Sequence, residues 1–511
     1  MNPLSIFPKH AMRALLILVA AGTLIVAAGC GGGNNNGGGG GGGGNNGNFS
    51  NASLNGHYAF TLRGIGTPDN VNSFFFVEGG VFTADGNGNL TSITDDFVED
   101  FQGTFNLPAT GSYKINKDGS GDLQFNFGNS TSALYRITFG DSSHFYMEED
   151  DGFNTSGGSG EKQDPTAFAS IPSGTFVLQT HDLAAGSSKV GVTTWTGGTI
   201  TGTGDALVGG ALSSVTISGT AQAPATATGR GTVTITDDTG TSNYAYYVVN
   251  ASKIRLFNTD FSSSLGIGTA EKQTGGPFSA ASLNGPYVFG SAGETSNVAG
   301  IHSVGLFTAD GAGHVTDGSF DFVQDGSPVT DITLNSGSAY IVDATSGRAK
   351  VDLNLSTGTT NEKVMYLVSP SRALFLVNDP INVEDGTADK QAGSAFSNSS
   401  MSGQYAFVMD GFDANAQLPY RDRVGTWTPN GSGTVSTSYV ASGFLPSSPP
   451  AGSATANTLS GTYSVGTNGR TTSTVNNLSN NLIFYMVSGN SGYMLQADTG
   501  VDIGGAFAKQ P

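Results

Sequence analysis

The chain repeats one short motif four times, and this repetition constrains its fold more than any other feature. In its clearest form the motif reads Ser-Leu-Asn-Gly-x-Tyr-x-Phe, with an aromatic residue two positions after a glycine. The aromatic residues of the four copies are Tyr58, Phe176, Tyr287 and Tyr405, which lie 118, 111 and 118 residues apart. A second marker, an x-Lys-Gln tripeptide, ends each copy and keeps nearly the same step. Two markers with one period predict four tandem structural units.

The length of the chain agrees with several units, because 511 residues exceed what one hydrophobic core normally organises. The repeat markers set the expected boundaries. The predicted units span residues 49–164, 165–275, 276–393 and 394–511.

Within a unit the pattern is one strand after another. Extended apolar runs end at Asp-Gly or Asn-Gly turns, as at Asp85–Gly88, Asp310–Gly313 and Asn430–Gly433, where tight hairpins need positive φ angles. The first unit contains about eight such strands and no convincing helix. The predicted fold class is therefore all-β, with four antiparallel units that form small up-and-down barrels, because closure removes exposed strand edges. A sandwich of two sheets is the alternative.

The late strands of three units are apolar at every position. These are Tyr244–Val249, Val364–Val368 and Leu482–Val487. A barrel strand with one face in water alternates apolar and polar residues, whereas a strand apolar on both faces is covered on both. The outer faces of these strands are predicted to pack against neighbouring units and make a compact array.

The first and last strands of each unit resemble a variant of the calycin pattern of lipocalins and avidin-like barrels. In that family a Gly-x-Trp on the first strand packs beneath an Arg or Lys from the last strand. The resemblance implies that a lysine lies across an aromatic ring and closes one end of each barrel, which is a structural role and not a ligand-binding one. The implied rings are Tyr58, Phe176, Tyr287 and Tyr405, and the implied cations are Lys162, Lys272, Lys390 and Lys509.

The N-terminus carries an export signal. Basic residues at positions 9–13 precede an apolar run over 14–28, which is too short for a comfortable membrane span but suits a signal peptide. The run ends in Ala27-Ala28-Gly29-Cys30, which resembles the lipobox of bacterial lipoproteins, although Ala27 stands where leucine is usual. The resemblance implies that residues 1–29 are removed and that the thiol of Cys30 carries a diacylglyceryl group. The whole chain is similar to multi-repeat bacterial lipoproteins, whose family name implies no activity.

A tether follows the cysteine. Residues 30–48 are almost entirely Gly and Asn after Cys30, and such a segment is a flexible coil with a reach of roughly 20–25 Å. Several acyl chains on one cysteine give durable anchoring. The predicted location is the bacterial cell envelope, at the outer membrane or cell surface, because Gly31 is not the aspartate that retains lipoproteins at the inner membrane. The predicted partners are the membrane, through lipid on Cys30, and an unidentified envelope or extracellular partner.

Composition excludes several functions. Forty acidic residues against 21 basic ones give a net charge of −19, which repels phosphate backbones and argues against nucleic-acid partners. A single cysteine excludes a disulfide framework and a multi-cysteine metal site. The six histidines show no metal-ligand spacing, and no Gly-Lys dipeptide marks a phosphate-binding loop. We therefore predict no catalytic residue, no metal ligand and no cofactor.

Three polar features have a structural interpretation. The acidic groups Glu148–Asp151 and Asp95–Asp96 contain the carboxylates that calcium sites use, but they are predicted to form a solvated acidic surface. Asp85 and Asp310 are predicted to form turns without an ion. Gly489–Gly492 faintly resembles the nucleophile turn of serine hydrolases and is predicted to be a hairpin turn.

Two function classes remain. The first is a non-catalytic surface protein that displays tandem modules for structure, interaction or adhesion. The alternative is a carrier that holds a small apolar ligand inside its barrels, since eight-stranded barrels are either filled by side chains or hold one ligand. Repetition favours the first class, and no large cavity is expected inside any unit.

Overall fold

A computed structural model describes residues 49–66, 74–99, 102–128, 131–150, 154–261, 264–295, 300–393, 395–413, 420–443 and 457–511. The predicted signal peptide and tether, with Cys30, lie outside these ranges. The described residues form antiparallel strands and four short 3-10 helices, which are Asn51–Ser53, Pro165–Ala169, Ala280–Ser282 and Asn398–Ser400. Within these ranges no helix has the length and apolar character needed to cross a membrane.

The first two units are closed eight-stranded barrels whose strands follow one another in chain order. In each, the first strand pairs with both the second and the last. Barrel 1 consists of β1 (Asn55–Gly66), β2 (Phe74–Asp85), β3 (Asn89–Glu99), β4 (Gln102–Ile115), β5 (Ser120–Phe127), β6 (Thr131–Phe139), β7 (His144–Glu149) and β8 (Asn154–Lys162). Barrel 2 consists of β9 (Gly174–Asp182), β10 (Ser187–Thr196), β11 (Thr199–Val208), β12 (Ala211–Ala221), β13 (Arg230–Asp237), β14 (Gly240–Asn250), β15 (Lys253–Asn258) and β16 (Gly266–Lys272).

The third unit is a nine-stranded sheet that is not fully closed. It consists of β17 (Asn284–Thr295), β18 (Gly300–Asp310), β19 (Val315–Gln324), β20 (Ser327–Thr333), β21 (Ala339–Val342), β22 (Arg348–Asn354), β23 (Thr360–Ser369), β24 (Arg372–Val377) and β25 (Asn382–Lys390). Strands β20 and β21 take the place of one long fourth strand and form the two edges of the sheet. The turn residues Asn335–Gly337 interrupt that strand, and isolated bridges such as His314–Ala339 connect the edges.

The fourth unit is again a closed barrel in chain order. It consists of β26 (Tyr405–Asp413), β27 (Tyr420–Pro429), β28 (Thr434–Gly443), β29 (Asn457–Val465), β30 (Arg470–Val475), β31 (Ser479–Ser488), β32 (Ser491–Gln496) and β33 (Val501–Lys509). The predicted all-β class with four antiparallel units of about eight strands is confirmed. The predicted barrel closure holds for units 1, 2 and 4, and unit 3 departs from it at its fourth strand.

Each unit has its own core, built from the inward-facing residues of alternating strands. On β1, Tyr58, Phe60 and Leu62 point inward and are fully buried. One phenylalanine before the first strand also enters each core, because it packs under the barrel end, as Phe49 does by stacking on Phe139 with ring centroids 5.4 Å apart. The four such residues are Phe49, Phe168, Phe278 and Phe396.

The units contact one another in a closed ring. The apolar outer faces of β14, β23 and β31 pack on the preceding unit, as predicted from their sequence, and Tyr247, Tyr366 and Tyr485 at their centres are at most 2% exposed. A smaller apolar cluster joins unit 4 back to unit 1, with Ala406 and Val424 against Tyr146. The compact array predicted from these strands is confirmed.

A glutamine locks each unit to the next. The backbone N–H of Gln163 bonds within its own unit, and its side-chain Nε2 donates to the carbonyls of Thr228 and Val248 in unit 2, at 3.2 and 2.7 Å. The same arrangement recurs at every junction, including the one that joins unit 4 to unit 1, where Gln510 donates to Asp118 and Phe139. We call Gln163, Gln273, Gln391 and Gln510 the latch glutamines.

Substitution of a latch glutamine should weaken the ring. Gln273→Ala removes a donor shared by the carbonyls of Ser346 and Leu367, and loss of bonds to buried acceptors costs about 1–3 kcal/mol. Urea unfolding should show that loss in the free energy of unfolding. Gln124→Ala, on the exposed face of β5, is the matched control and should cost little. Equal effects of the two substitutions would contradict the latch.

Candidate functional site

The residues implied by the calycin resemblance meet in pairs across the first and last strands. Tyr58 is paired in register with Lys162, and Phe176, Tyr287 and Tyr405 are paired in the same way with Lys272, Lys390 and Lys509. The ammonium of Lys509 lies 5.7 Å from the centre of the Tyr405 ring.

The glycine of each Gly-x-aromatic motif explains why the lysine fits there. Gly56 has φ of +111°, and a Cβ built on it would lie 3.1 Å from Cε of Lys162. Gly174, Gly285 and Gly403 share the positive φ and the nearby lysine Cε, at 2.9, 3.4 and 3.2 Å. The bare glycine therefore leaves room for the aliphatic stem of the lysine.

The predicted turns are present. The Asp85 carboxylate accepts a bond from the side-chain amide of Asn89 at 2.7 Å and from the backbone N–H groups of Asn87 and Asn89 at 2.7 and 3.0 Å. The side-chain bond first, and then the backbone bonds, lower its pKa to about 2. Asp310 makes the same bonds in unit 3, and their effect on its pKa is the same. Ser488 and Ser491 flank the turn between β31 and β32, so the hairpin interpretation of Gly489–Gly492 is confirmed.

The prediction of a solvated acidic surface is wrong. Asp95, Asp96, Glu148 and Glu149 are at most 1% exposed and Asp150 is 6% exposed, while Asp151 lies outside the described residues. Asp96 binds Arg230, which lies 134 residues away, so the local sequence does not indicate its burial. Asp150 accepts a bond from Nε of Arg136 at 2.7 Å.

Asp96 belongs to a three-residue cluster that crosses the junction between units 1 and 2. Arg230 of unit 2 binds it through Nε at 2.8 Å and Nη2 at 2.6 Å, and the hydroxyl of Tyr247 donates to it at 2.5 Å. The same arrangement recurs at the next two junctions. We call these Asp–Arg–Tyr sets the junction triads: Asp96–Arg230–Tyr247, Asp205–Arg348–Tyr366 and Asp321–Arg470–Tyr485.

The junction between units 4 and 1 has no triad. The position of the aspartate is taken by Val440, which pairs with Val424 as Asp321 pairs with Val304. The positions of the arginine and tyrosine are taken by the paired residues Ser120 and Thr138. All three members are thus replaced together, so no buried aspartate or arginine is left without its partner at this seam.

Other polar contacts hold this seam. Thr155 of unit 1 donates to Asp422 of unit 4 at 2.9 Å, and Arg63 lies 3.4 Å from Asp410. Burial and the neighbouring Asp410 raise the pKa of Asp422 well above its ordinary value. The seam between units 4 and 1 is therefore polar where the other three are mainly aromatic and aliphatic.

Two histidines join units near the ring centre. His181 of unit 2 bonds through Nδ1 to Asp385 at 2.5 Å and through Nε2 to Glu294 at 2.8 Å, both in unit 3. Burial would lower its pKa, but the two carboxylates outweigh that effect and raise the pKa to about 10. His302 of unit 3 bonds through Nδ1 to Asp502 of unit 4 at 2.7 Å.

The four units surround a cleft at the centre of the ring. Its volume is about 360 Å³, and residues of all four units line it, among them Arg63, Gln179, His302, Asp385 and Asp410. An adjoining cavity of about 280 Å³, lined by units 1 to 3, shares Arg63, Gln179 and Asp385 with it. The cleft therefore exists only where the units meet, and no single unit contains it.

Each barrel interior contains a buried cluster of aromatic and aliphatic side chains. In unit 2 a cavity of about 10 Å³ remains, which is the space of about one water molecule. Charged groups occupy part of each interior: the Tyr135 hydroxyl donates to Glu78 in unit 1, Lys189 pairs with Asp237 at 2.7 Å in unit 2, and Arg423 donates to Gln496 at 2.5 Å in unit 4.

Unit 3 has a buried cation inside its core. The Lys363 ammonium lies 4.1 Å from the centre of the Phe289 ring and 4.6 Å from that of Phe375. Burial lowers its pKa to about 8. This lysine fills the aromatic space that an apolar ligand would need.

Among the described residues, no group of three or more His, Cys, Asp or Glu side chains has an arrangement that could hold a metal ion. His57 contacts Thr83, and His314 bonds to Asp310 on an exposed turn. Sequence reasoning did not identify the latch glutamines, the junction triads or the two histidines. The sequence does carry a signal for the junction triads. At matching positions of the repeat, aspartate occurs in units 1 to 3 and arginine occurs in units 2 to 4.

Comparisons with known proteins identify no family for this chain. No family model matches the chain, and no curated protein matches it. Among solved structures, a mutant of the vaccine antigen transferrin-binding protein B from Haemophilus parasuis is 10% identical over 65% of this chain and 75% of that chain, with a TM-score of 0.20. Intact Ap-TbpB, with N and C lobes, is 9% identical over 72% and 84%, with a TM-score of 0.17. Similarity at these scores carries no argument about function.

Removal of one member of a junction triad should cost more stability than removal of all three. Arg470→Leu leaves Asp321 buried without its cation and should cost about 3–5 kcal/mol of unfolding free energy. The triple variant Asp321→Leu, Arg470→Leu, Tyr485→Phe removes all the polar groups together and should cost less, as the triad-free seam suggests. Chemical unfolding of both variants measures the difference. A triple variant that is less stable than Arg470→Leu alone would refute this account.

His181 predicts a loss of stability at alkaline pH. Its pKa rises from 6.5 to about 10 on folding, so it stabilises the fold fully below about pH 6.5 and this contribution is lost as the pH rises toward about 10. Calorimetric Tm values across that window should fall more steeply for the wild type than for His181→Gln. His314→Gln, on an exposed turn, should follow the wild type. Parallel pH profiles for His181→Gln and the wild type would rule the effect out.

Proposed function

We propose that this protein is a lipid-anchored, non-catalytic surface protein of the bacterial cell envelope that displays its units to an envelope or extracellular partner. One observation carries the proposal: four units are locked into one ring, and Gln510 of the last unit bonds to the first. A ring with filled barrel cores offers a rigid scaffold from which connecting loops are presented, and scaffold-borne loops are the usual place for binding.

The geometry of the junctions supports a defined orientation. The latch glutamines join the lysine-bearing ends of successive units, so these ends share one face of the ring. Phe49, the first described residue, packs at that end of barrel 1, close to Gln510. A tether that leads from Cys30 to Phe49 would therefore hold this face toward the membrane.

The connections on the opposite face would then point away from the membrane. They join β1 to β2, β3 to β4, β5 to β6 and β7 to β8 in barrel 1, and their counterparts in the other units lie on the same side. We infer that this face contacts the partner. A role as a carrier inside the barrels has less support, because aromatic and charged side chains fill the interiors described above.

The anchor is tested by Cys30→Ser. In bacteria fed an alkynyl fatty acid, the wild-type chain should take up the label and sediment with membranes, since the acyl chains hold it there. The Cys30→Ser variant should be unlabelled and absent from the membrane fraction. Click-chemistry detection after fractionation gives both readouts.

The control for this experiment is Gly33→Ser, which places the same new side chain in the tether and should behave as the wild type. A protease site inserted between β1 and β2 should be cut on intact cells, because Gly66 and Phe74 lie at the end of barrel 1 opposite Lys162. Label on Cys30→Ser, or protection of the inserted site on intact cells, would overturn the proposal.

We further propose that the lysine of each Lys-Gln pair closes its barrel end by lying against the glycine and the aromatic ring. Lys509→Met keeps the aliphatic stem but removes the charge over Tyr405, and a partly exposed cation–π contact contributes about 0.5–1 kcal/mol. Urea unfolding should reveal a loss of that size. Lys114→Met, at an exposed position of β4, is the control. If Lys509→Met has the same free energy of unfolding as the wild type, the contact between the lysine and the ring contributes no stability and the proposal fails.

A further inference from the structure

The two ends of the units differ in charge. We call the face formed by the connections after the first, third, fifth and seventh strands of each unit, with β20 and β21 counted as one strand, the distal face. In the sequence, neither these connections nor the strand residues that border them include a lysine or an arginine. The connections carry Asp69, Asp100, Asp150, Asp151, Asp238, Asp260, Asp325, Asp379 and Asp498. On the opposite face, the bordering strand residues include Lys162, Arg230, Lys253, Lys272, Arg348, Arg372, Lys390, Arg470 and Lys509. The distal face is therefore acidic, so it attracts cations and repels anions.

Apolar side chains are exposed on the distal face where unit 2 meets its two neighbours. Phe261, in the connection after β15, and Val208, at the end of β11, are each 41% exposed, and Ile381 of unit 3 is 58% exposed. The Phe261 ring lies 5.9 Å from the half-buried ring of Phe105 in unit 1. At the other junction, a Cβ built on Gly210 would lie 3.0 Å from the backbone nitrogen of Ile381. Exposed apolar groups bordered by polar residues are typical of a protein–protein contact site.

The rim of barrel 2 brings these apolar groups together with acidic ones. Along the rim, Val208 lies at the β11–β12 turn, Asp238 at the β13–β14 turn and Asp260 beside Phe261 in the next connection. Each of the two aspartates accepts a backbone N–H, at 2.7 and 2.6 Å. These neutral donors hold the carboxylates in place and leave their negative charge uncompensated. The rim therefore offers apolar contact at both junctions and anionic groups between them.

The charge of the distal face limits the class of partner. A second copy of this chain, with its net charge of −19, would place one acidic face against another. Nucleic acids and acidic polysaccharides would be repelled in the same way. A protein segment rich in lysine or arginine complements the charge, and the aliphatic stems of these residues also cover apolar surface.

We propose that the rim of unit 2 on the distal face docks a basic segment of a partner protein. Apolar side chains of this segment pack on Phe261, Val208 and Ile381, and its lysine or arginine side chains lie over Asp238 and Asp260. The inference rests on the proposed display function, because it names the class of partner that the displayed face binds.

Fluorescence anisotropy with the full chain in detergent micelles tests the inference, with labelled synthetic peptides as probes. One peptide alternates lysine and leucine, a second alternates glutamate and leucine, and a third alternates lysine and serine. We expect the lysine–leucine peptide to bind, with an affinity that falls as salt is added, and the other two to bind about tenfold more weakly or not at all. No binding of the lysine–leucine peptide, or equally tight binding of either comparison peptide, would overturn the inference.

Two double variants locate the bound peptide. Phe261→Ser with Val208→Ser removes exposed apolar side chains. Asp238→Asn with Asp260→Asn removes two charges and keeps an acceptor oxygen for each backbone bond. Each double variant should weaken binding of the lysine–leucine peptide about tenfold, because each removes one of the two kinds of contact.

The matched control is Ile341→Ser with Asp141→Asn, which should bind the peptide as the wild type does. Ile341 is 68% exposed on β21, and Asp141 is exposed at the lysine-bearing end of barrel 1. Unchanged affinity in both rim variants, or an equal loss in the control, would place the peptide elsewhere and refute the inference. Binding in micelles depends neither on the anchor nor on orientation at the cell surface, so such a failure would leave the display proposal to its own Cys30 and protease tests.

Discussion

The structure depends on strands that are apolar on both faces. An eight-stranded barrel buries only the inner face of its wall, and β14, β23 and β31 would each expose a row of aliphatic side chains around a tyrosine if their units stood alone. Covering that row needs the outer face of a neighbouring unit, at a gain of roughly 25 cal/mol for each Å² of apolar surface removed from water. The three junctions between consecutive units each cover one such row. The polar seam between units 4 and 1 then completes the ring.

Directional contacts then fix how the units meet. Apolar packing alone tolerates small rotations, whereas a latch glutamine bonded to two carbonyls and an arginine bonded through two nitrogens to one carboxylate each require one geometry. The triads are buried, so their value lies in excluding misaligned junctions rather than in adding net stability. Because the same bonds recur from junction to junction, the rotation between successive units is repeated and the fourth unit returns to the first.

The repeat, the strand content and the buried outer faces were predictable, because period and alternation are properties of consecutive residues. The burial of the acidic groups was not predictable from the sequence. Arg230 lies 134 residues beyond Asp96, and nothing local to Glu148–Asp150 indicates that the fold encloses these carboxylates. The central cleft could not be predicted from the sequence either, since His302, Arg63 and Asp410 belong to three different repeats. The open edge of unit 3 had a visible cause in Asn335–Gly337, a turn sequence where the other units continue a strand.

The triad-free seam has a consequence for assembly. The face of unit 4 that carries Val440 matches only the face that carries Ser120 and Thr138, because any other unit would bury an arginine opposite a valine. A ring with its units in another order would therefore be less stable. The same holds for a ring with a foreign unit inserted at one of the three inner junctions. Covalent linkage gives the two faces of the triad-free seam a high effective concentration, which favours closure within one chain over open-ended addition of further chains.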